Sequence, residues 1–164
     1  MTARIFCIWV CFPAGLLLPG NSLLAGSRND SPNEVNLELA GKCLLYSFSY
    51  QRMVAEPFGI DLGISMLGGG SSGASSSLVF FTGGAKVYFI QKNASPYVGG
   101  GIVAVSTSTN YGPFGDSSSG SYGYVGPGFE FRSDGGFLFR GSVYALIAGG
   151  GFFIWPGLSF GIAF

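Results

Sequence analysis

Apolar residues alternate with small or polar ones along most of the chain. The alternation is cleanest at Phe58, Ile60, Leu62, Ile64 and Met66, set against Gly59, Asp61, Gly63 and Ser65. A period of two is the spacing of a β-strand with one apolar face. The same period predicts strands over Val35–Ala40, Leu44–Gln51, Leu78–Ile90, Gly120–Arg132, Phe137–Ile147 and Pro156–Phe164. Pro96–Ser106 reads as one more strand, but its two faces are too alike to phase. Gly41–Lys42, Val54–Pro57, Gln91–Ser95 and Ser133–Gly135 read as short turns. Gly68–Ser77, Thr107–Ser119 and Ala148–Trp155 read as long loops. Pro127 has no N–H for a ladder, so a bulge or strand edge is expected there.

The pattern predicts an all-β fold, an eight-stranded antiparallel barrel. With 164 residues the chain is long enough for one such domain. Two opposite designs fit alternation: a soluble barrel with its apolar face inside, or a membrane barrel with that face on lipid. Charge placement separates them. The polar phase carries Glu38, Asp61, Lys86, Glu130, Arg132 and Arg140, whereas within the strands the apolar phase carries only Arg52, at a strand end. Lys or Arg facing lipid at mid-bilayer would cost about 2–4 kcal/mol. A soluble barrel would instead cover its outer face with charge, and charged residues make up only 10% of this chain. The apolar phase is therefore expected to face outward in a transmembrane barrel. Tyr50, Phe58, Phe89, Tyr97, Phe131, Phe137 and Phe164 gather at the ends served by short turns and predict an aromatic girdle there. Phe152, Phe153 and Trp155 suit a second girdle at the other end. The inward charges balance, which predicts a mutually neutralised network and no open pore.

At the N-terminus, Arg4 precedes the apolar stretch Ile5–Leu18, and Ala25-Gly26-Ser27 offers small residues for cleavage. The expected organisation is a signal peptide over 1–27, a polar segment over 28–33 and the barrel over 34–164. Leu23-Leu24-Ala25-Gly26 is followed by Ser27, not the Cys that a lipoprotein needs. Of the three cysteines, Cys7 and Cys11 lie in this leader, which leaves Cys43 without a partner for a disulfide. The chain has no His and a net charge of zero. The usual general base and zinc ligand are thus missing, and nothing favours nucleic acid. No enzyme activity, catalytic residue, metal site or cofactor is expected.

The chain ends P-G-L-S-F-G-I-A-F, with Leu158, Phe160, Ile162 and Phe164 in one phase. A terminal strand of this kind, closing on Phe, resembles the last strand of bacterial outer-membrane barrels. With the alternating strands and the rhythm of short turns and long loops, the mature chain resembles the small eight-stranded barrels of the OmpA/OmpX type. No periplasmic peptidoglycan-binding domain like that of OmpA is expected, so a cell-wall tether is not implied. The resemblance implies a bacterial outer-membrane location, lipid as surroundings, delivery by periplasmic chaperones and insertion by the barrel-assembly machinery. It implies that Leu158, Phe160, Ile162 and Phe164 form the assembly signal. The expected role is structural or surface-interacting, with the Thr107–Ser119 loop as the recognition element and Tyr111 and Phe114 as its contact aromatics; the sequence does not name the surface ligand. The alternative is a barrel that binds a hydrophobic ligand or lipid, through a lateral gap near Pro127 or inside a lipocalin-like carrier.

Overall fold

The computed structural model describes residues 31–71, 74–111 and 114–164; the side chains of Ser71, Ala74, Tyr111 and Phe114 are not described. The leader and its cleavage site lie outside the described residues. Eight strands close into an antiparallel barrel in which each pairs with its neighbours in sequence and β1 pairs with β8. They are β1 (Asn33–Ala40), β2 (Tyr46–Ala55), β3 (Phe58–Ser71), β4 (Ala74–Tyr88), β5 (Ala94–Tyr111), β6 (Phe114–Arg132), β7 (Phe137–Ala148) and β8 (Gly151–Ala163). Closure leaves no edge in the wall, so every strand there has its backbone partners on both sides. Asn33 and Phe164 exchange backbone hydrogen bonds and bring the described ends of the chain together. The turns at Glu56–Pro57, 89–93 and 133–136 share that end; we call the opposite end the far mouth.

The apolar phase faces outward. Leu62 and Ile102 are each 64% exposed, while their inward neighbours Asp61 and Val103 are 1% and 0% exposed. That is the reverse of a soluble carrier, whose apolar side chains would line the lumen. Of the aromatics assigned to the girdle at the short-turn end, Tyr50, Phe58, Phe89, Phe131, Phe137 and Phe164 are exposed, but Tyr97 is buried in the lumen. The reason is local space. Gly128 lies against the Tyr97 ring, and a Cβ there would overlap it. At the far mouth Phe152 and Phe153 are exposed, whereas Trp155 turns inward and its indole N–H donates to the Leu44 carbonyl at 3.1 Å.

The expected long loops are not loops. Residues 68–71 and 74–77 extend β3 and β4, and 107–111 and 114–119 extend β5 and β6. The β5–β6 ladder runs unbroken from Ala94 opposite Phe131 to Tyr111 opposite Phe114. Hydrogen bonding continues where hydrophobic alternation stops, because Ser, Thr and Gly occupy both faces once the strands leave an apolar environment. Tyr111 and Phe114 thus end a strand pair. Ala148–Trp155 is also strand except for a tight turn at Gly149 and Gly150, whose φ values of 57° and 84° suit residues without a Cβ.

Gly41–Lys42 is not a simple surface turn either. Gly41–Cys43 form a single 3-10 turn that dips into the barrel, with Gly41, Lys42 and Cys43 all buried. Leu44 N–H donates to the Gly41 carbonyl, and Ala40 N–H donates to the Leu45 carbonyl across the neck. We call Gly41–Leu44 the plug.

Candidate functional site: a filled lumen and a projecting sheet

Inward phase places charge in the lumen from most of the wall. Glu38, Asp61, Lys86, Glu130, Arg132 and Arg140 are all buried there, joined by Glu34 and Lys42. These last two escape a sequence reading: Glu34 sits in a polar lead-in and Lys42 in a turn. A signal for Glu34 is available, since it keeps the phase of Asn36 and Glu38. Acids and bases are equal in number, as burial of this much charge requires.

All but Glu38 form one continuous network. At the short-turn end Arg132 donates to Glu34 at 2.6 Å and to Glu130 at 2.7 Å. Arg140 donates to Glu34 at 2.5 Å and also to Glu130, so each carboxylate is held between two guanidinium groups. Direct cross-strand register of Glu130 and Arg140 sets up that contact. Tyr88 links this cluster to the next: its hydroxyl donates to Glu130 at 2.7 Å and accepts from Gln51 at 2.7 Å. Gln51 accepts from Lys86 at 2.5 Å, and Lys86 lies 3.8 Å from Asp61. Asp61 accepts from Lys42 of the plug at 2.5 Å. Glu38 stands beside this chain, accepting from Tyr144 at 2.9 Å and from Ser47 at 3.3 Å.

Beyond the network the lumen turns apolar. Cys43 packs in a buried cluster with Phe80, Val103, Tyr124, Tyr144 and Leu146, and Leu44, Leu67, Leu78, Val105, Tyr122 and Trp155 pack around it. Tyr122 hydroxyl donates to the Lys42 carbonyl at 2.5 Å. The plug thus joins the ionic network to this apolar cluster. Cys43 is a free thiol buried in that cluster. Among the described residues no group of three or more Cys, Asp or Glu is arranged to hold a metal ion.

The wall is also closed beside Pro127. The β6–β7 ladder omits Gly126 and Pro127 but resumes in the same register, with Val125 opposite Ala145 and Gly128 opposite Ser142. Gly126 approaches the Val143 carbonyl so closely that a Cβ would overlap it. A lateral gap at Pro127 is therefore not present.

At the far mouth β3, β4, β5 and β6 project as a four-stranded sheet. The β6–β7 ladder has its pair nearest that mouth at Gly123 opposite Ile147, which leaves residues 114–122 unpaired on that side among the described residues. Near its tip two rows are small and hydroxyl-rich: Ser77, Ser108 and Ser117 lie side by side, and Ser76, Thr109 and the acidic Asp116 form the next row. Tyr111 and Phe114 stand at its tip.

No known family model matches the chain, and no curated protein matches it in sequence. Solved structures do. The chain is similar to the N-terminal β-barrel domain of Pseudomonas aeruginosa OprF, with TM-score 0.59 and 14% identity over 80% of this chain and 95% of that one. It is similar to Ail, the attachment invasion locus protein of Yersinia pestis, with TM-score 0.50 and 13% identity over 80% of this chain and 92% of that one. At such identities the likeness shows the fold: a small eight-stranded barrel of the kind that those proteins have.

Proposed function

We propose that the chain is a bacterial outer-membrane protein that spans the bilayer as a closed, non-conducting barrel and presents its β3–β6 sheet to a partner outside the cell. The observation that carries this reading is the inverted distribution of side chains: an apolar wall that is charged at Arg52, near a strand end, around an ion-paired lumen. A continuous outer surface of Leu, Ile and Phe is favoured against lipid over water, whereas paired charges tolerate an interior. With the C-terminal strand ending in the periplasm, the far mouth and its sheet are extracellular. Delivery by periplasmic chaperones and insertion by the barrel-assembly machinery, with Leu158, Phe160, Ile162 and Phe164 as the signal, belong to the same reading.

The role follows from where specificity can reside. The sheet offers hydroxyls and an unpaired β6 edge, which suits an added strand from a protein partner. We therefore read the role as surface interaction. The hydrophobic-carrier alternative finds no support, because aromatic and paired polar side chains occupy the lumen.

Planar-bilayer recording from the pure refolded protein tests closure. Only brief, irregular openings are expected; a steady unitary conductance in the wild type would overturn this reading.

A further inference from the structure

Lys42 enters the lumen from the plug, yet the groups around its ammonium belong to the wall. Asp61 on β3 accepts from Nζ at 2.5 Å. The Tyr124 ring on β6 has its centroid 5.7 Å from Nζ. Glu38 on β1, held by Tyr144 on β7, packs against Gly41 next to the lysine. A carboxylate together with an aromatic face is the chemistry that recognises an ammonium group. These wall residues are placed by the barrel's own registers, so the site exists independently of the residue that fills it.

Its capacity is not exhausted. Asp61 Oδ1 and the Tyr124 hydroxyl are buried and make no hydrogen bond; Lys86 Nζ lies 3.8 Å from Oδ1. The plug is distorted to deliver its side chain. Ala40 has φ 56° and ψ −129°, and Leu44 has φ 73° and ψ −52°, conformations that L-residues with side chains rarely adopt. We propose that Asp61, Tyr124 and Glu38 form a binding site for a primary alkylammonium group, and that Lys42 is its tethered occupant. A free alkylammonium ion occupies the site when the tether is absent.

Lys42→Ala with n-propylammonium tests this, because the amine restores the atoms that the substitution removes. The urea midpoint of protein refolded in detergent micelles is the readout. The variant is expected to unfold at lower urea than wild type, and n-propylammonium to raise its midpoint saturably. Neither n-propanol, which lacks the charge, nor tetramethylammonium, which lacks N–H donors, should do so. In Lys42→Ala/Asp61→Asn the response should vanish, and wild type should not respond. If Lys42→Ala folds only when the amine is present, the proposal stands; if the amine neither restores folding nor shifts the midpoint, it fails. It fails too if Lys86 takes over Asp61 and leaves Lys42→Ala unresponsive, if tetramethylammonium acts equally well, or if the response survives in the double variant.

Discussion

Arg140 is the residue on which the lumen depends most. It is 1% exposed and reaches Glu34 and Glu130 together, with Tyr88 within 3.2 Å of the same nitrogen. Removal of one partner from a buried ion cluster costs far more than the cluster contributes, because the remaining charges lose solvation without compensation. Arg140→Ala is therefore expected to destabilise the folded barrel by about 3–5 kcal/mol, read as a fall in the urea midpoint of protein refolded in micelles. Charge placement of this kind is legible in the sequence where the phase is clear: Glu130, Arg132 and Arg140 sit on well-marked strands. It is illegible at Lys42, because no pattern of period two foretells that a turn will fold back inside. Tyr97 hides for a different reason. The residues around it are small or apolar on both faces, and only packing against Gly128 shows which way the ring points.

At the scale of elements, the strands divide into a part with one outward apolar face and a part that hydrogen bonding alone sustains. Alternation marks β3 at Phe58–Met66 because one face is outward and apolar and the other meets a packed lumen. From Gly68 onward both faces are small or hydroxylated, so the contrast that reveals a strand is gone although the ladder continues to Ser71 opposite Ala74. The sequence reading thus finds eight strands and misjudges their length at the far mouth. This division makes the projecting β5–β6 hairpin separable from the barrel. A variant in which residues 107–119 are replaced by a short turn is expected to refold in micelles with a urea midpoint close to wild type. The same variant should lose binding to cells or surface ligands that the wild type engages. Unchanged binding would remove the hairpin from the recognition surface, and failure to fold would show that the projecting ladder supports the wall.

For the whole molecule, the account rests on orientation: apolar outward, ionic inward, plug at one mouth and the described chain ends at the other. Three lines converge on it. The registers close the sheet, the lumen is filled by a neutralised network capped by an apolar cluster, and the outer wall carries exposed Leu, Ile and Phe that water would not tolerate in such numbers. The OprF and Ail barrels share the fold. The measurement that tests it most directly is the electrophoretic mobility of the mature protein refolded in detergent micelles, run in SDS with and without boiling. A barrel whose wall is satisfied by detergent and whose lumen is locked by ion pairs should resist SDS unheated and migrate apart from the boiled chain. Identical mobility before and after boiling, from a protein that stays soluble once detergent is removed, would contradict the outward placement of the apolar face.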